Sequence, residues 1–201
     1  MFGKVSAAKV LAMVLRSMDP KLVRVFQHQV RVQCEFIFLA YDYLVDHALK
    51  LEGSTVMTFF AIQSLIGSAA CIRRAMWGQD ASTNARRLPL RQSLATDDSS
   101  PINNPDIRNH FEHFDERIEK WWAVSKQDSF LDLNVLPAGT FTNPVAINEF
   151  RHYDPVSGDV TFWQHSKMNL PTLVEEAKRI HEIALAELTK PEIREQEAVK
   201  K

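Results

Sequence analysis

The run Val56-Met-Thr-Phe-Phe-Ala-Ile-Gln-Ser-Leu-Ile-Gly-Ser-Ala-Ala-Cys-Ile-Arg-Arg-Ala-Met-Trp77 decides the fold class. Phe59, Phe60, Ile62, Leu65, Ile66, Ala69, Ala70 and Ile72 put apolar side chains on more than one face of a helix. That pattern predicts a central helix in a bundle. Gly67-Ser68-Ala69-Ala70 lets a neighbouring helix approach closely, and Gly78 predicts the stop.

Towards the N-terminus, Lys21 to about Lys50 reads as another long helix. Leu22, Val25, Phe26, Val32, Phe36, Leu39, Tyr43 and Leu44 recur at spacings of three and four. Gly53-Ser54-Thr55 separates the two helices as a stop and a new cap. Asp19-Pro20 divides the long helix from a first candidate at Lys4 to Met18, because the residue before a proline avoids the helical region.

Towards the C-terminus, residues 79–103 lose the periodicity and read as a loop. Asn104-Pro105-Asp106 offers a cap residue, a proline at the first position and an acid in the first turn. A fourth helix follows to about Ala123, with Ile107, Phe111, Phe114, Ile118 and Trp121 as its buried stripe; Trp122 flanks the stripe. Residues 128–165 form a β-like insertion. Phe130 to Leu136 is one strand, and Val145 to Tyr153 and Val160 to Trp163 flank a turn at Asp154 to Asp159. Asn169-Leu-Pro171 opens a last helix with Leu173, Ala177, Ile180, Ala184 and Leu188 inward, and Lys190-Pro191 ends it. The expectation is a mainly α protein, an up-and-down bundle of about five helices with a small β-hairpin insertion before the last helix. It would be one domain over residues 1–190 with a flexible tail at 191–201.

The composition narrows the function classes. The chain has 201 residues, 45% of them hydrophobic, with 6 Gly and 9 Pro, which argues against disorder and against a turn-dense all-β fold. A formal net charge of −1 excludes bulk attraction to nucleic acid, so phosphate binding needs a local patch. Arg73, Arg74, Arg86, Arg87 and Arg91 are the candidates for such a substrate-binding patch; the alternative is an ordinary solvated loop. Cys34 and Cys71 both fall in apolar helical stretches and read as core, which predicts a reducing compartment. No stretch reads as a targeting signal or approaches the ~20 apolar residues of a membrane span. The expected location is the cytoplasm, away from membranes.

The specific chemical signal is Arg108-Asn109-His110-Phe111-Glu112-His113. At 3.6 residues per turn, Arg108 and His113 leave the fourth helix on different sides, about 140° apart. They converge only if two copies of the helix pack about a two-fold axis. The alternative for Arg108 is an ion pair with Glu112, four residues on. His110 and His113, with Glu112, Asp115 and Glu116, lack the ligand spacing of a helical metal site, and neither metal nor cofactor is expected. Asp154 to Asp159 lacks the alternating acids of a calcium loop.

Arginine, a polar residue, three more and histidine, on a late helix of a helical bundle, resembles the HEPN superfamily (higher eukaryote and prokaryote nucleotide-binding domains). Arg108, Asn109 and His113 match that motif position by position. The resemblance implies metal-independent RNA cleavage at a composite site of a homodimer. It also implies a toxin–antitoxin or defence setting, with a nucleotidyltransferase-type antitoxin as one partner. In such a site Arg108 would steady the phosphate, His113 would transfer protons and Asn109 would assist. The alternative is a non-catalytic helical module that binds nucleic acid or protein.

Overall fold

The computed structural model describes residues 18–50, 54–104, 106, 109, 111, 113–125, 130–140, 149–163 and 166–191. The helices named here are α1 (Pro20–Asp46), α2 (Thr55–Trp77), α3 (Ala81–Arg86), α4 (Leu88–Ser93), α5 (Phe114–Ser125) and α6 (Leu170–Thr189). Short 3-10 turns occupy Ala48–Lys50 and Pro101–Asn103. Four strands precede α6: β1 (Asn134–Val135), β2 (Arg151–Asp154), β3 (Asp159–Phe162) and β4 (Ser166–Asn169). The protein is mostly helical with one small sheet.

The helix starts follow from side-chain caps. Asp19 accepts a hydrogen bond from the Lys21 amide at 2.7 Å, with Pro20 at the first helical position. Asn169 accepts from the Thr172 amide at 2.9 Å and opens α6 over Pro171. Gly78 ends α2 with φ +69°, a backbone conformation that a side chain would strain.

The core lies where α1, α2 and α6 meet the inner face of the sheet. Val30, Cys34, Ile37 and Leu44 of α1 pack with Phe59, Ile62, Leu65 and Ile72 of α2 and with Leu173, Ala177, Ile180 and Ala184 of α6. Leu188, expected inward, is half-buried. Tyr153, Val160 and Met168 bring β2, β3 and β4 into the same core. Burial of this apolar area is the main favourable term in folding.

Several expectations need correction. Residues 79–103 are not one loop. Asp80 caps α3 by accepting from the Thr83 amide at 2.8 Å, and Leu90 and Leu94 are fully buried. The hairpin is part of a larger sheet: β2 and β3 pair antiparallel around the expected turn, β4 adds antiparallel to β3, and β1 adds parallel to β2. Cys71 is exposed, because it lies on the outward face of α2, whereas Cys34 is buried. By length and composition α2 could cross a membrane, which the sequence reading did not anticipate; 56% of the relevant window is buried within the protein. Its polar residues conceal this, since Thr58, Ser64 and Ser68 turn their hydroxyls back onto the carbonyls of Ser54, Phe60 and Ser64.

Only part of the stripe that marks α1 as a helix faces the core: Leu44 is buried, and Phe26 and Tyr43 pack against it. Leu22, Val25, Phe36 and Leu39 are exposed, while Gln27, Val30, Cys34, Ile37 and Leu44 are buried. The expected first helix from Lys4, apart from its last residue Met18, lies outside the described residues, as does the tail beyond Pro191. So do residues 145–148 of the expected strand from Val145 and, in the fourth helix, Ile107.

The turn between β2 and β3 locks onto α6. Gly158 has φ +75°, and a Cβ there would sit 2.5 Å from Pro171 Cδ. The Leu170 amide donates to the Gly158 carbonyl at 2.9 Å.

Candidate functional site

The described residues around the sequence motif lead into α5, which is held by its aromatic face. Asn104 Oδ1 accepts from the Asp106 amide at 2.9 Å, as expected of a helix start. The His113 amide donates to the Asn109 carbonyl at 3.0 Å, and the Arg117 amide donates to the His113 carbonyl at 3.1 Å. These two i to i−4 bonds link Asn109, the turn at His113 and the first turn of α5. On the inner side, Phe111, Phe114, Ile118 and Trp121 pack on Phe150, Phe162 and Trp163. Phe114 meets Phe150 edge-on at 5.3 Å between centroids, and Phe111 meets Phe162 at 5.4 Å. Trp121 is buried and Trp122 is exposed, the division expected from the sequence.

Beneath this aromatic layer Arg151 pairs with Asp132. Arg151 Nε donates to Asp132 Oδ1 at 2.7 Å, and Nη2 donates to Oδ2. The guanidinium carbon lies 4.6 Å from the Phe114 ring centre and 5.8 Å from that of Phe59. A planar cation can both fork onto a carboxylate and stack on rings, so Arg151 ties α5 to the sheet and to α2.

Of the motif's described residues, His113 is open to solvent. The His113 side chain is 54% exposed, and its Nδ1 lies 3.4 Å from Glu116 Oε1. Such a solvent-exposed contact is weak. Asn109 is half-buried. Arg108, together with His110 and Glu112, lies outside the described residues.

The five arginines do not act alike. Arg91, 7% exposed, is a structural residue: Nη1 donates to the Met76 carbonyl at 2.6 Å and the Asn84 carbonyl at 3.2 Å, and Nη2 donates to Asn84 Oδ1 at 3.0 Å. It satisfies a carbonyl at the end of α2, a position with no helical donor of its own. This corrects the expectation that it faces a phosphate. Burial lowers the pKa of Arg91, and Asp98 partly opposes that. Arg87 lies over the Phe26 ring at 3.8 Å, and burial, then repulsion from Arg86, lowers its pKa. Arg86 and Arg74 are exposed. Arg73 lines a cleft of about 330 Å³ with Trp77, Asp80, Asn84, Asp98 and Asn103. Its buried Nε has no hydrogen-bond partner among the described residues. Two carboxylates share that cleft: Asp98 accepts from Trp77 Nε1 at 2.6 Å, and the Thr83 amide and hydroxyl hold Asp80 below its ordinary pKa. The cleft is therefore mixed in charge, unlike a phosphate cradle.

One grouping escaped the sequence reading. His152 Nδ1 and Glu149 Oε1 lie 2.6 Å apart, and His152 is buried although it alternates in β2 with the core residue Tyr153. The spacing Glu149-x-x-His152 was the available signal. Asn134 is the β1 register partner of His152, and both Asn134 Nδ2 and His152 Nε2 are buried without hydrogen-bond partners among the described residues. Among the described residues, no group of three or more His, Cys, Asp or Glu side chains could hold a metal ion.

Compared with known proteins, the chain shows no match to a protein family, to a curated protein or to a solved structure.

Proposed function

We propose that the chain is a HEPN-like domain that cuts RNA without a metal ion, as a pair of copies. The single observation that carries this reading is the placement of His113. Its imidazole faces solvent from the turn that leads into α5, beside Phe111, Phe114 and Trp121 of the aromatic layer. A rigid base open to a large substrate is what internal attack by a ribose requires. His113 takes the proton of the 2′-hydroxyl, the freed oxygen attacks the adjacent phosphorus, and the 5′-oxygen leaves with a returned proton. Arg108 steadies the phosphate and Asn109 orients it. In this reading the helices form an up-and-down bundle, the chain works in the cytoplasm, and a nucleotidyltransferase-type antitoxin restrains it.

The test mixes defective copies. Arg108→Ala and His113→Ala each abolish cleavage of a mixed RNA substrate at equal protein level, and mixing the two variants restores part of it. Intact RNA after incubation with the wild type across pH 5–9 overturns the reading. A non-catalytic module for nucleic acid or protein is the second reading. The contacts of Arg87 and Arg91 favour it, because they withdraw two cations from any phosphate path. RNA retention without cleavage, unaffected by His113→Ala, supports that alternative.

A further inference from the structure

We infer that the outer face of α1 is the surface on which a second copy of this chain docks, through antiparallel pairing of α1 with itself. The helix has two apolar faces. One supplies the core through Gln27, Val30, Cys34, Ile37 and Leu44. The other carries Leu22, Val25, Gln29, Val32, Phe36 and Leu39, and at 100° per residue it lies about 140° around the axis from the first. These six alternate at spacings of three and four, the seam of a two-stranded coiled coil rather than the broader stripe of a helix facing one core. Phe36 is 49% exposed and Leu39 is 66% exposed, although both are large and apolar.

The seam is self-complementary only in one direction. With two α1 helices antiparallel, Leu22 meets Leu39 of the second copy, Val25 meets Phe36 and Gln29 meets Val32; two-fold symmetry then repeats each layer. The register leaves one polar layer, repeated by the symmetry, near the axis. The same register sets Lys21 beside Asp42 of the second copy, and His28 beside Glu35. Both contacts join opposite or hydrogen-bonding groups, and each occurs twice. A parallel pairing instead sets Lys21 beside Phe26 and Glu35 beside Ala40, with no charge match. Lys21, His28 and Asp42 are exposed on the single chain, and Glu35 Oε1 meets both Arg31 Nη1 at 2.6 Å and His181 Nε2 at 3.3 Å, which leaves Oε2 for the second copy. The open groove of about 410 Å³ lined by Lys21, Arg24, Val25, His28 and Gln29 follows one half of this seam. The core faces of α1 stay as they are, since the seam takes none of their residues.

This inference does not rest on the RNA reading. The seam contains no residue of the Arg108–His113 helix, so either can fail alone. The test uses the full chain, mixed in equal parts as unlabelled and ¹⁵N-labelled protein and treated with a zero-length carbodiimide cross-linker. The expected result is a particle of twice the chain mass and Lys21–Asp42 cross-links that pair light with heavy peptides. Phe36→Glu and Leu39→Lys should each weaken self-association about tenfold or more while circular dichroism stays unchanged. Lys21→Asp should weaken it, and Lys21→Asp combined with Asp42→Lys should recover it. A monomer at about 100 μM, a concentration that would populate even a weak dimer, overturns the inference, as do α1 cross-links formed only within one copy. Cross-links from Lys4 or Lys9 to Glu35 or Asp42 within one copy would assign the face to the chain's own N-terminal segment instead.

Discussion

Arg151 closes on Asp132 through two nitrogens while its guanidinium stacks 4.6 Å from the centre of the Phe114 ring. One largely buried cation thus joins the start of α5 to the sheet. Removing one partner leaves the other charge poorly solvated, at a cost of about 3–5 kcal/mol. Asp132→Asn should therefore lower the denaturant midpoint markedly. Combining Asp132→Leu with Arg151→Met should recover much of the loss, because no unpaired charge remains. Equilibrium urea unfolding checks both, and a neutral Asp132→Asn would refute the account.

Arg91 and Arg86 should separate structure from surface. Arg91→Met strands the Met76 and Asn84 carbonyls and should cost about 2–3 kcal/mol. Arg86→Gln, on an exposed position, should change stability by no more than about 0.5 kcal/mol. Thermal melts of the two variants decide it. A destabilised Arg86→Gln would show that the exposed arginine carries structure too.

The two cysteines should react as different thiols. Burial, reinforced by Glu35 and Glu176, pushes Cys34 up to about 12, so its thiolate is scarce as well as hidden. Cys71 is exposed on α2. A disulfide reagent should titrate one thiol in the native protein and two after unfolding in guanidinium. Cys71→Ser should remove the native reaction. Rapid native reaction of both thiols would contradict the packing of α1.

Asp154 should govern part of the acid limb of stability. Burial raises its pKa, but hydrogen bonds from the Val156, Ala138 and Ser157 amides outweigh burial and leave it below the ordinary 3.8. A carboxyl with a depressed folded pKa stabilises above its unfolded value and loses that contribution as pH falls through the folded one. The wild type should therefore lose stability as pH drops below about 4. Asp154→Asn should be weaker at neutral pH and show a flatter acid limb, as followed by melts from neutral to strongly acidic pH.

The long helices were legible because their signals are local. Asp19-Pro20, Gly78 and Asn169-Leu-Pro171 set boundaries through hydrogen bonds and steric limits within a few residues. The segment 79–103 was not, because its polar residues serve the structure. Asp80 caps α3 and Arg91 reaches back to the end of α2, contacts that depend on tertiary placement. Periodicity found α1 but did not distinguish its two apolar faces, and Gln27 and Cys34 mark the inner one only once α2 and α6 are in place. The motif at 108–113 pointed to the segment that holds His113, but the exposure of that side chain follows from packing that the motif does not encode. The Glu149–His152 pair stayed hidden because its meaning depends on the β1–β2 register, which no short motif encodes.

Gly158 and Gly139 differ in what surrounds them: Pro171 fills the space beside the first, and among the described residues nothing lies within 4 Å of a Cβ at the second. The joint at Gly158 welds the hairpin to the final helix, so foreign residues spliced there would pry apart two elements at once. An epitope tag or fluorescent reporter belongs beside Gly139, where no described residue would be displaced.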